Sequence, residues 1–253
     1  MKFFNLLFLL FFANIFAQKV YPIVVKDNIS DALVDDYKNL YIYKNSDLSL
    51  VKYDSLGVKK AETMLLQPFK IQSVENPLNI FLFSENAQEI KILDQNLNPI
   101  QRFNLSGKFG HIKAVFSEDL QYVWLLDSAQ KKLIQYNHRD DKIINTFPLR
   151  ISFEKINDFL IYDGKIYIVK DKNFIVYNFD GKQIFAIDIE NGRKLRREND
   201  KIFVIETQSI FEFTSAQEFL PVFSKENYKI VEKNHSHFLA LIEDKFYLYK
   251  IEN

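Results

Sequence analysis

Six short apolar runs recur along this chain at nearly even spacing, and no other feature restricts its fold so strongly. They occupy residues 40–43, 80–83, 123–126, 166–169, 202–205 and 238–241, with starts 40, 43, 43, 36 and 36 residues apart. A second β-rich segment follows each run at a similar offset, at 50–54, 89–94, 133–137, 174–178, 210–214 and 246–250. The stretch 164–188, GKIYIVKDKNFIVYNFDGKQIFAID, shows the layout most plainly. It predicts strands at 166–169, 173–178 and 183–187, a polar hairpin at 170–172 and an Asp180-Gly181 turn. Asp-Gly between β-rich runs is a strong hairpin signal, because Gly accepts positive φ without a Cβ clash. An aliphatic residue opens a further strand before each run: Ile29, Ile71, Ile112, Ile156, Leu195 and Ile230.

A period near 40 with about four strands per unit is the pattern of β-propeller blades; leucine-rich repeats are shorter, and helical repeats need a 3.6 period that is absent. Apolar side chains on both faces, as in Ile166-Tyr167-Ile168-Val169, need cover on both sides. Blades packed face to face supply it, whereas a sandwich or open barrel would leave one face wet. The expectation is all-β: a single six-bladed β-propeller over residues 18–253, with four antiparallel strands per blade. Pro148 and Pro221 lie in strand-like runs, which marks those strands as sheet edges, since Pro cannot donate to a ladder. A similar run surrounds Pro22, before the first unit, while the last unit stops after its third strand. The N-terminal strand is therefore expected to complete the last blade and close the ring.

Composition narrows the function classes. Lys and Arg total 33, as do Asp and Glu, so no cationic excess exists for a nucleic-acid partner. There is no cysteine, which excludes thiol nucleophiles, Cys zinc sites and disulfides, and leaves packing to hold the fold. Only six Gly serve the many turns, so Asn and Asp are expected to carry them. Residues 1–17 read as a signal peptide: Lys2, then an almost wholly apolar stretch, then Ala17 before Gln18-Lys19. The apolar run, about 14 residues, is too short for a transmembrane span. The expected destination is outside the cytoplasm: periplasm, cell surface or extracellular space. The expected state is a monomer, with no cofactor.

No phosphate-binding Gly loop, nucleophile elbow or zinc-protease helix occurs. His235-Ser236-His237 has a spacing that can chelate a transition metal, but it sits at a turn without a third ligand nearby, so no metal site is assigned. Asp35-Asp36, Glu118-Asp119 and Asp140-Asp141 read as turn solvation, because neighbouring strand residues point to opposite faces. The recurrent pairs Tyr53-Asp54, Tyr136-Asn137 and Tyr177-Asn178 read as turn caps. No catalytic residue is assigned. One asymmetry is left. Connections from each outer strand to the next inner strand open at one rim and carry Lys26, Lys70, Lys108, His111, Arg150, Lys155, Arg193, Lys194 and Lys225. Turns at the other rim are acidic. With Arg196 near the axis, the candidate anionic-ligand site comprises Lys70, Lys108, His111, Arg150, Lys155, Arg193 and Arg196.

The segments LVKYDSLG (50–57) and IVYNFDGK (175–182) resemble repeats of secreted six-bladed propellers of the NHL/TolB-like superfamily. The resemblance spans the mature chain as a pattern. It implies a disc with a central channel used for binding protein or glycan. Enzymes of this kind hold an axial metal with acidic and amide side chains from the inner strands. The comparable positions here are mixed (Asp31, Gln72, Lys113, Asn157, Arg196, Glu232), and Lys113 and Arg196 would compete with a divalent cation. The leading expectation is a non-enzymatic interaction scaffold that engages a protein partner in the cell envelope, in outer-membrane assembly or secretion. The alternatives are a hydrolase or lyase of lactonase, esterase or glycan-lyase type, and a module for an anionic ligand or glycan.

Overall fold

The computed structural model describes residues 18–24 and 29–251; the segment read as an export signal and Lys26 lie outside the described residues. Strand β1 (Gln18–Val24) comes first. Blade one follows as β2 (Ile29–Val34), β3 (Leu40–Lys44), β4 (Ser49–Tyr53) and β5 (Lys59–Met64). Blade two is β6 (Lys70–Ser73), β7 (Ile80–Ser84), β8 (Glu89–Leu93) and β9 (Pro99–Asn104). Blade three is β10 (Ile112–Ser117), β11 (Tyr122–Asp127), β12 (Lys132–Asn137) and β13 (Lys142–Pro148). Blade four is β14 (Ile156–Tyr162), β15 (Lys165–Lys170), β16 (Asn173–Asn178) and β17 (Gln183–Asp188). Blade five is β18 (Gly192–Glu198), β19 (Lys201–Glu206), β20 (Ser209–Phe213) and β21 (Phe219–Ser224). The last is β22 (Tyr228–Lys233), β23 (His237–Ile242) and β24 (Lys245–Lys250), and β1 adds to it outside β24. The chain is an all-β, six-bladed propeller whose N-terminal strand closes the ring.

The closure is antiparallel, with Val20 opposite Tyr247. Tyr21 is buried at the seam with blade one, and its hydroxyl donates to the Lys38 carbonyl at 2.8 Å. The Asn234 amide donates to the Asp35 carbonyl at 2.7 Å across the same seam. Pro148 and Pro221 both lie in outermost strands, β13 and β21, where a missing N–H leaves no inner ladder broken.

Doubly apolar strands pack as their sequence demands. Each of the six seams between blades has its own hydrophobic cluster; that between blades one and two joins Tyr41, Tyr43 and Leu50 to Ile71, Ile80 and Leu82. Trp124 packs with Phe147 and Phe179 at the seam of blades three and four. Asp and Asn serve the turns as the caps expected at Asp54 and Asn137, and seldom as their left-handed residues. Of eleven non-Gly residues with positive φ among those described, only Asp141, Asp163 and Asn199 are Asp or Asn. The Asx residue stands instead at the head of the turn and caps it. The Asp54 carboxylate accepts the Leu56 and Val58 N–H groups, and the Asp94 carboxylate accepts those of Asn96 and Asn98. The left-handed residue comes three places later, as Gly57 or Leu97.

Every inner strand is broken near its start by a register shift, falling at Ser30, Gln72, Lys113, Asn157, Arg193 and Lys229. Such bulges bend a strand and re-aim its side chains. They decide what the channel displays.

Candidate functional site

Pairing to the second strand of each blade defines one level around the channel. Asp31, Lys70, Ala114, Asp158, Lys194 and Ile230 lie opposite Tyr43, Phe83, Leu126, Val169, Ile205 and Leu241. Two acids and two bases thus share a level, and they meet between blades. Lys70 Nζ lies 2.8 Å from Asp158, joining blades two and four. Lys194 Nζ lies 2.6 Å from Asp31, joining blades five and one. Arg193 adds a second contact to Asp31 at 2.7 Å and donates to the Val231 carbonyl at 3.2 Å. Burial alone would raise the Asp31 carboxyl, but Lys194 and Arg193 outweigh it and hold the group below the usual carboxylate range. The Asp158 carboxylate also accepts the Leu195 N–H at 2.9 Å.

Above this level opens a cavity of about 570 Å³. Its wall carries five cations (Lys70, Lys113, Lys155, Arg193, Lys194) and two carboxylates, Asp31 and Glu85. Glu85 holds Lys113 through both oxygens at 2.9 Å and His111 Nε2 at 3.3 Å. Asn157 donates to Asp171 and to the Gly192 carbonyl, both at 2.6 Å, which ties blade four to the loop entering blade five. Lys155 stands apart from these pairs. It is exposed, adopts φ of 53° just before the bulge at Asn157, and has no hydrogen-bond or ion-pair partner among the described residues.

Deeper along the same strands, the space shrinks to about 30 Å³ beside Glu75, Arg196, Glu232 and Lys233. Arg196 bonds Glu198 at 2.8 Å and the Lys233 carbonyl at 2.9 Å, and lies 3.3 Å from Glu75. Lys233 is almost wholly buried, 2.5 Å from Glu198 and 4.0 Å from the centroid of the Phe203 ring. Burial lowers the Lys233 ammonium despite Glu198. This end of the channel is filled by ion pairs.

The residues grouped by sequence therefore separate. Lys70, Lys155 and Arg193 line the cavity, and His111 borders it through Glu85. Lys108 is drawn to Asp141 and the Tyr136 hydroxyl, with its ammonium over the Tyr136 ring, and does not reach the cavity wall. Arg150 is exposed outside the cavity, and Arg196 belongs to the filled end. Sequence reasoning passed over Asn45 and Asn86 on the wall. Their signal was available: both lie in the turn after the apolar run, in successive units. At 235–237, the Asn234 side chain accepts the Ser236 and His237 N–H groups, and Ser236 contacts the His237 ring. No group of three or more His, Asp or Glu suited to a metal occurs among the described residues.

No protein-family model matches the sequence, and a search of curated proteins finds no match. Solved structures do match. Virginiamycin B lyase from Staphylococcus aureus, in its selenomethionine form, aligns at 11% identity over 93% of this chain and 100% of its own, with a TM-score of 0.56. A catalytically inactive variant of that lyase with quinupristin aligns at 9% identity over 94% and 100%, with a TM-score of 0.61. BamB from Moraxella catarrhalis aligns at 11% identity over 90% and 84%, with a TM-score of 0.49. The likeness to the two lyase structures bears on the fold alone. Function has to be argued from the site.

Proposed function

We propose that the protein is an exported, non-enzymatic propeller that serves as an interaction scaffold in the cell envelope and engages its partner at the open channel mouth. The observation that carries this reading is the channel's asymmetry: about 570 Å³ of open space at one end against about 30 Å³ among ion pairs at the other. A concave site of roughly 300–1,000 Å³ is the usual size for a ligand or an anchoring side-chain group. The cationic surplus at the lip favours an anionic part of the partner. Asp31, Asp158 and Glu85 are each engaged by cations, so none is free as a general base or metal ligand; this weighs against the hydrolase or lyase reading. Export rests on residues 1–17, and no helix among the described residues is long and apolar enough to cross a membrane.

The test is site-specific photo-crosslinking in intact cells of the native organism. A photoreactive residue at Lys155 or Asn86, at the mouth, should give a discrete protein adduct. The same residue at Lys142, exposed on outer strand β13, should not. Adducts at Lys142 alone, or none at the mouth, would overturn the reading. Deleting residues 2–16 should leave the protein in the cytoplasmic fraction.

A further inference from the structure

The cavity wall also specifies what kind of anion it can take; this inference rests on the channel mouth being the binding face. Its charges are mostly spoken for. Lys113 gives two contacts to Glu85, Arg193 and Lys194 converge on Asp31, and Lys70 is held by Asp158 and the Asn157 carbonyl. A polyanion such as phosphate, or a run of acidic side chains, would have to displace Asp31 or Glu85 or lie against them. Like charges at that range repel, most strongly where water is scarce. One negative charge can be met without breaking a pair, at Lys155.

The uncommitted groups on the rest of the wall are neutral. Ser30, Asn45, Gln72 and Asn86 line the cavity, and their side chains have no hydrogen-bond partner among the described residues. A hydroxyl or carboxamide both donates and accepts. That is the complement of a ligand hydroxyl, which does the same. Pro68, exposed on the same wall, adds apolar surface, while Phe69 and Phe83 are buried. One cation without a partner among the described residues and four two-way polar groups match a single carboxylate on a hydroxyl-rich ring.

We propose that the cavity binds a hydroxylated monocarboxylate of the uronic-acid type, free or as the end of a glycan. The carboxylate sits at Lys155 and the ring hydroxyls at the carboxamides of Asn45, Gln72 and Asn86.

Isothermal titration of the mature chain with galacturonate, digalacturonate, galactose, acetate and a tetraglutamate peptide tests this. Galacturonate should bind at least about tenfold more tightly than galactose or acetate, since each lacks half of the matched chemistry. Lys155→Ala should bring galacturonate to the level of galactose. Asn86→Ala should weaken both sugars alike and leave acetate unchanged. Lys108→Ala, whose ammonium is held away from the cavity, should change nothing. Tighter binding of digalacturonate supports a glycan end; equal binding supports the free acid. If tetraglutamate binds through Lys155 and galacturonate does not, the ligand class is overturned while the mouth still serves as a docking site. If no probe binds, the ligand class is equally overturned, and crosslinking at the mouth decides the scaffold reading by itself.

Discussion

Gly181 and Gln217 occupy the same place in the same turn of neighbouring blades. The Gly181 N–H donates to the Asn178 carbonyl and the Gln217 N–H to the Thr214 carbonyl, both at 3.0 Å, with φ of 81° and 62°. A Cβ on Gly181 would meet only the Arg150 nitrogen at 3.5 Å and the Leu149 Cδ1 at 3.7 Å, which is ordinary contact. Gly181→Ala should therefore cost about 1 kcal/mol for backbone reasons alone. Gln217→Gly, at an exposed site, should stabilise by up to about 1 kcal/mol. Urea unfolding of the two variants should give shifts of opposite sign; the same sign would mean that side-chain contacts govern these turns. At Asp31, electrostatics govern. Asp31→Asn leaves Arg193 and Lys194 facing a neutral group in a partly closed channel. The cost should be about 3 kcal/mol, the low end for a broken buried pair, because Lys194 keeps Glu232 at 3.5 Å. The sign with pH follows from the depressed carboxyl. Its contribution is complete above the unfolded value of about 3.9 and is lost as pH falls through the lower folded value. The gap in urea midpoint between the native chain and Asp31→Asn should hold from pH 7 to about pH 5 and narrow below pH 4. A gap that stayed constant to pH 3 would separate Asp31 from its cations.

Strand β1 is the element on which closure depends. Removing residues 18–24 would bare the edge of β24 and expose the surfaces that Tyr21 and Ile23 now cover, both under a tenth exposed. Those two side chains alone represent roughly 1.5–3 kcal/mol each, against a typical domain stability of about 5–15 kcal/mol. The truncated chain should melt well below the intact one and scatter light on standing, since a bare edge invites pairing with another copy. Unchanged melting would mean that the seam holds without it. This strand was legible in the sequence because Pro22 repeats the Pro148 and Pro221 signature and because the last unit lacks an outer strand. Strand order was legible for the same reason: apolar runs and edge prolines are local signals that the blade does not override. The channel lining was less so. Reading comparable positions along the inner strands selected Gln72, Lys113 and Asn157, which are the bulged residues themselves. A one-residue shift exchanges the two faces of a strand. The level that pairs across the channel holds Lys70, Ala114 and Asp158 instead. Lys108 shows the same limit: nothing local predicts that Asp141, 33 residues later, will capture it.

At the scale of the whole ring, each blade buries its apolar faces only against its two neighbours, so a linear array of such units would unfold from its ends. This ring has no free end. β1 joins the termini, and ion pairs cross the channel from blade two to four, five to one, and five to two. Loss of any blade removes two seams, and loss of blade one, two, four or five also removes a cross-channel ion pair, so partial states gain little entropy for a large loss of burial. The expected behaviour is all-or-none unfolding despite the repeat architecture. The sequence supplies a local probe in its single Trp. Trp124 lies at the seam of blades three and four, opposite β1 in the ring, with its indole N–H on Glu118 at 2.8 Å. Its fluorescence reports that seam, whereas far-ultraviolet circular dichroism reports all six sheets. In urea the two transitions should coincide in midpoint and slope. In the chain lacking residues 18–24, the ring becomes an array with ends far from Trp124, and the dichroism should begin to fall before the fluorescence. Coincident transitions in both proteins would place cooperativity in the seams alone; separated transitions in the intact chain would show that the closed ring does not unfold as one unit.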